Sequence, residues 1–329
     1  VLLFFGIVLF TQSIISFDHL VYTYAFVLAL PGISIIFIAL KKTKVLVAPK
    51  AELFKEKKKL GSYILFGVLG GSSASIIGYT DQWMIHNMIS DKMVGIYAIM
   101  FFAAMLIAVP AKGVMKIASV VIAESWKNND LKNIQTVYRK SCVTLLIIGF
   151  YLFLIGWATI DPVLTYLPDF QEGKYVFFWL GLGKIVELGT GVNSDIIETS
   201  VKYRFNLYFT IALAIVVILL NYVFIKEIGL VGAGLASFIA MIFVNSLRGY
   251  YVYRTFGFKA FGTKFFQALL TGLLFLVAIS FVNYEVHPIA KICINGFVVS
   301  ALYWFVVVRF GFSEDINAWL LKLKKKYIG

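Results

Sequence analysis

Lys184, Glu187, Asp195 and Glu198 stand three, eight and three residues apart in Tyr175–Val201, a stretch otherwise apolar enough to lie in a membrane. At about 100° per residue, these four residues and Gly191 share one helical face roughly 80° wide. Phe178, Leu182, Ile185, Val186, Ile196 and Ile197 take the opposite face. A charge turned toward lipid is costly, so such a stripe must face protein or a water-filled cavity. Two chemistries fit it. Lys184 and Glu187, one turn apart, can neutralise each other within a structural ion-pair network. Alternatively, Glu187, Asp195 and Glu198 serve ion coupling or gating, and Lys184 contacts an anion.

Two other groups carry chemistry inside apolar segments. Gly71, Ser75, Gly78 and Gln82 form a small and polar helix face with Asp81 beside them. Such a face suits close packing or the wall of a cavity. Asp81 reads either as a proton or cation site or as the structural partner of a buried base or backbone amide. Lys112 and Lys116 follow Pro110 one turn apart on a common face. Paired ammonium groups can hold a phosphate or pyrophosphate, or they can snorkel to the headgroups. Asn193, Asn221 and Asn245 read as interhelical glue. His19, His86 and His287 fall near helix ends and read as interfacial residues.

The elements that position these groups are membrane helices. The chain is 60% hydrophobic, 17% aromatic and only 14% charged, outside the soluble range. Windows of about 20 apolar residues predict ten spans, near 1–16, 20–40, 62–88, 93–120, 140–160, 175–200, 206–225, 229–252, 263–284 and 288–310. Pro110 predicts a kink in the fourth. Residues 122–140 read as a helical extension along the membrane surface, and 161–174, with Pro162 and Pro168, as an irregular loop. The chain starts within an apolar segment, at Val1. It is therefore expected to be the later part of a longer protein.

Lysine and arginine gather on alternate connections: the 41–60 loop, with KEKKK at 55–59, then 127–140, 202–204 and 248–264, and the tail from Arg309 to Lys326. Only Lys92, Lys174, Lys226 and Lys291 fall on the opposite side. That asymmetry places the first set and the C-terminal tail in the cytoplasm. It also assigns the net charge of +13 to loops facing anionic membrane lipid rather than to nucleic acid. Cys142 and Cys293 sit in apolar runs, and no CxxC, HExxH or P-loop pattern occurs. Neither a disulfide framework, a zinc enzyme nor a nucleotide-driven pump is indicated.

Several local patterns share an order. Asp81 is followed by VGIYA at 94–98, then by KIASVVIAESWKNNDL at 116–131, GVNSDIIETSVKYR at 191–204 and NYVFIKEIGLVGAGLAS at 221–237. Over about residues 60–255 this series resembles the polysaccharide flippases, the Wzx-like members of the multidrug/oligosaccharidyl-lipid/polysaccharide exporter superfamily, which also holds the MATE transporters. A proline frequent in that family near the position of Val121 is absent.

The resemblance implies an all-α polytopic protein with two six-helix lobes around a central cavity and two extra C-terminal helices. On that mapping, residues 1–60 hold the last two helices of the first lobe and a cytoplasmic linker. Residues 61–252 form the second lobe, and 253–329 the extra pair and basic tail.

It further implies a non-enzymatic transporter in a bacterial inner membrane that flips an undecaprenyl-pyrophosphate-linked oligosaccharide outward by alternating access. No cofactor is implied beyond a proton or sodium gradient. Membrane lipids and polysaccharide polymerase or export machinery are the expected partners. Lys112, Lys116 and Lys184 are the candidates for the anion, and Asp81, Glu187, Asp195 and Glu198 for coupling or gating. The rivals are a drug/cation antiporter of the same superfamily and a membrane-embedded glycan polymerase or acyltransferase. The 161–174 loop is short for the latter.

Overall fold

The computed structural model of the protein describes residues 17–42, 61, 73–282, 284–314 and 316–317. They fall in two units, one within residues 1–62 and one within 63–329. Every regular element among them is helical. The first unit contributes α1, Phe17–Lys42, which carries Pro31 in its interior. The expected span 1–16, the KEKKK loop and the basic tail lie outside the described residues.

The second unit contains α2 (Ser73–Met88), α3 (Asp91–Leu106), α4 (Val109–Lys127), α5 (Leu131–Leu164), α6 (Lys174–Gly189) and α7 (Asn193–Glu198). It continues with α8 (Arg204–Ile228), α9 (Leu230–Phe256), α10 (Thr263–Phe281) and α11 (Pro288–Phe310). Among the described residues, α5, α8, α9, α10 and α11 are each long and apolar enough to cross a membrane. A sixth crossing is made if α3 and α4, bent by 52°, count as one broken span. The protein is thus a multi-pass, all-α membrane protein.

The bend falls at Ile107–Ala108, and Pro110 occupies the first turn of α4, where its missing N–H costs nothing. The expected kink is therefore a full break. Residues 122–140 differ from the expected surface helix. They form the end of α4 and the start of the 34-residue α5, joined by a turn in which Asn129 takes φ +54°. Asp130 caps α5, accepting from the Asn133 N–H at 3.0 Å. The 161–174 segment is more regular than its prolines suggest, with α5 running to Leu164 and a 3-10 turn at Pro168–Gly173.

At the centre lies α6, packed against α3, α5 and α9. Glycine lets it approach closely: a Cβ on Gly181 would sit 2.5 Å from the Phe153 ring. Phe153 in turn stacks on Phe177 at 6.1 Å. The α10–α11 pair lies against α5. Tyr303 Oη donates to the Ile147 carbonyl at 3.1 Å, and Asn295 Nδ2 to the Ala158 carbonyl at 2.6 Å. Apart from that seam the pair is largely apolar and exposed, with Phe266, Leu270, Phe297 and Phe305 all facing outward. Such a surface demands lipid.

The expected span 175–200 is not one helix. It stops at Gly189 and restarts at Asn193, and Gly191 between them takes φ +64°. A side chain there would be strained, and its Cβ would meet Cys142 Sγ and Ser141 Oγ, each at 2.8 Å. The single charged stripe expected from a 3.6-residue period is therefore corrected. Lys184 and Glu187 belong to α6, while Asp195 and Glu198 belong to the separate short α7.

Candidate functional site

Two polar clusters lie in the second unit, one enclosed and the other reaching the surface at Lys112 and Glu198. The first is built on Asp81 of α2, which is fully buried. Tyr97 Oη of α3 donates to its Oδ2. Ser237 Oγ of α9 donates to the same oxygen at 2.6 Å, and Asn221 Nδ2 of α8 to Oδ1 at 2.5 Å. Four helices thus converge on one carboxylate, and three donors offset the loss of its water. The partner is neither a base nor a backbone amide, contrary to the structural alternative read from the sequence. Asn221 Oδ1 is buried with no hydrogen-bond partner, leaving an acceptor oxygen beside the carboxylate. Of the small face predicted with Asp81, Gly78 packs directly on the Phe101 ring, where a Cβ would come within 2.7 Å. Gly71 and the side chain of Ser75 lie outside the described set.

The second cluster joins α4, α6, α7 and α9. Lys184 Nζ donates to Glu187 Oε2 at 2.7 Å, with 10% of the lysine side chain and 33% of the glutamate exposed. Lys112 of α4 and Arg248 of α9 both act electrostatically on Glu187. Arg248 also faces Glu198 of α7, which lies near Asp195. Asp195 faces the Ser119 hydroxyl of α4. Thr190, which ends α6, donates to Asn245 Oδ1 at 3.1 Å, and Asn245 donates on to the Met241 carbonyl at 3.0 Å.

The structure therefore brings together Lys112, Lys184, Glu187, Asp195 and Glu198 but not all the expected residues. Lys116 is exposed on α4 and joins no hydrogen bond or ion pair among the described residues. Asp81 lies in its own cluster. A cavity of about 20 Å³, lined by Ser237 and Lys184 with Phe101, Leu180 and Met241, separates the two groups.

Arg248 corrects the sequence reading, which placed it in a basic cytoplasmic loop. It is 7% exposed within α9. Such a charge is retained inside a bundle only when carboxylates face it, and Glu187 and Glu198 do so. Tyr97 and Ser237 were also not singled out. The signal for Arg248 was present: the helical period from Ser237 through Met241, Val244 and Asn245 runs on to it.

His86 pairs with Asp91 across the α2–α3 turn and is exposed.

Helix packing of this kind is found in solved transporters. No family model and no curated protein matches the chain. A multidrug resistance MATE family transporter of the MOP superfamily, in its outward-facing conformation, matches with TM-score 0.50 and 16% identity over 64% of this chain and 50% of that one. A MATE structure in complex with MaD5 matches with TM-score 0.50 and 17% identity over 64% and 51%. A MOP superfamily transporter from Pyrococcus furiosus, described as having a binding pocket of reverse polarity, matches with TM-score 0.51 and 16% identity over 66% and 51%. The protein is a multi-pass helical membrane protein whose structural neighbours are MATE/MOP superfamily transporters. The chain spans about half the length of the solved structures it matches.

Proposed function

We propose that the protein is a secondary transporter that flips a lipid-linked oligosaccharide, of the undecaprenyl pyrophosphate type, to the outer leaflet of a bacterial inner membrane. In this reading, residues 61–252 are one lobe of a two-lobe exporter and residues 253–329 an appended pair with a basic tail. The observation that carries the reading is the convergence of the buried Lys184 and Arg248 and the exposed Lys112 on Glu187. A pyrophosphate needs cations that survive desolvation, and the carboxylates of Glu187 and Glu198 hold these cations in place until the substrate competes for them. Asp81, with the free Asn221 Oδ1 beside it, offers a proton or sodium ion a carboxylate and a neutral oxygen together. That pairing suits coupling to an ion gradient.

The same Asp81 cluster favours a second reading, drug/cation antiport, which needs the acid but has no use for the three cations. Complementation of a flippase-deficient strain with the full-length protein separates the two. The flippase reading expects surface polysaccharide to be restored by the wild type and lost with Lys112→Gln/Lys184→Gln. Restoration by that variant would exclude an anion role for the lysines.

A further inference from the structure

A cleft of about 520 Å³ lies away from both clusters, between the first turns of α5, the start of α10 and residues 312–314 beyond α11. Its mouth carries Arg139 and Lys140 of α5 and Lys264 of α10. Its floor is apolar, formed in part by the buried Val143, Phe265 and Phe312. The walls are fixed. Gln135 makes two hydrogen bonds to the backbone of Lys259, both at 2.7 Å, clamping the α9–α10 connection onto α5. Thr144 and Ser313 hydrogen-bond at 2.9 Å behind the floor.

Among the described residues, Glu314 is the acid within ion-pair distance of these cations. Glu314 lies 3.2 Å from Lys140 and 3.4 Å from Lys264, with 64% of its side chain exposed. No described carboxylate lies within ion-pair distance of Arg139, whose Cδ and Nε pass beside Gly262, 3.8 Å from where a Cβ would stand. Among the described residues, the cleft therefore sets three cations and one carboxylate above an apolar floor. It also opens beside α10 and α11, whose outward faces are apolar and lipid-facing.

We propose that this cleft binds the phosphodiester headgroup of an anionic phospholipid, with Arg139, Lys140 and Lys264 on the phosphate and the glycerol and first methylenes on Val143, Phe265 and Phe312. Free phosphate presents the same oxygens but leaves the apolar floor uncovered, so the lipid satisfies more of the site. Glu314 occupies the phosphate position when no lipid is bound and must be displaced by it. The site is independent of the transport reading and requires only that the protein span a membrane.

The experiment is native mass spectrometry of the full-length protein in detergent, titrated with phosphatidylglycerol or phosphatidylcholine. Wild type is expected to retain one phosphatidylglycerol in preference to phosphatidylcholine. Arg139→Gln/Lys264→Gln should weaken that retention roughly thirtyfold, since each basic residue near an anionic lipid contributes about 1 kcal/mol. Glu314→Gln should strengthen it, an opposite sign that general loss of folding cannot produce. Equal retention of the two lipids by wild type would overturn the proposal, as would an unchanged double variant. Displacement of the lipid by inorganic phosphate at equal concentration would assign the site to free phosphate instead.

Discussion

The Asn221 amide donates to the Asp81 carboxylate at 2.5 Å, joining α8 to α2 across 140 residues of sequence. Neither group has water to fall back on, since both are fully buried. Each therefore depends on the other.

Asn221→Ala removes one of three donors from a buried carboxylate. It is expected to lower stability by about 2 kcal/mol, the usual scale for leaving a buried polar group short of a partner. Thermal unfolding in detergent checks this. Asp81→Asn should be tolerated better as a fold, because an amide still accepts from Tyr97 and Ser237. It should nevertheless abolish gradient-driven transport in proteoliposomes if Asp81 is the coupling group. Full transport by a folded Asp81→Asn protein would remove Asp81 from that role.

Arg248→Gln deprives both Glu187 and Glu198 of a cation that faces them. A loss of about 3 kcal/mol is expected, of the order seen when one partner of a buried pair is removed. The double variant Arg248→Gln/Glu187→Gln should recover part of it. A thermodynamic cycle over the two positions measures the coupling, and strict additivity would show that the pair does not interact.

Gly191→Ala forces a Cβ into a positive-φ position already crowded by Cys142 and Ser141. Strain of this type costs about 2 kcal/mol, so the expected result is a lowered unfolding temperature. Leu182→Ala would test packing on α6 alone. Only the Gly191 variant should be partly rescued by Cys142→Ala, which removes one of the two colliding side chains.

Glu314 provides a pH signature. The hydrogen bond and charge of Lys140, and then those of Lys264, hold its carboxyl below the ordinary carboxylate range. Its folded pKa is depressed, so its contribution is fully present above the unfolded value and is lost as pH falls through the folded one. The protection of amides at the start of α10, taken relative to their intrinsic exchange rate at each pH, should fall over that acidic interval in wild type. In Glu314→Gln that relative protection should not change there.

Much of this fold was legible as apolar windows of membrane length. The windows near 206–225, 229–252, 263–284 and 288–310 became α8 to α11 with ends shifted by a few residues. The Lys184–Glu187 pair was legible too, because one helical turn sets its geometry. The break at Gly191 was not, since the apolar period continues across it and only the approach of Ser141 and Cys142 shows why the helix cannot. Arg248 was misplaced for a similar reason: beside Tyr250, Tyr251 and Arg254 it reads as an interfacial end, and its burial depends on carboxylates from α6 and α7. The partners of Asp81 could not be named from sequence, because Tyr97, Asn221 and Ser237 are brought to it by packing.

The 27-residue α9 carries Ser237, which grips Asp81, and Arg248, which faces Glu187 and Glu198. The eleven residue steps from one to the other make three helical turns with an offset of about 20°, so the two side chains lie nearly in line about 16 Å apart along one shaft. Nothing in the helix between them, neither proline nor a change in winding, lets one end turn without the other. The shaft gears the two clusters together: rotation that withdraws the Ser237 hydroxyl from Asp81 also swings Arg248 across its carboxylates.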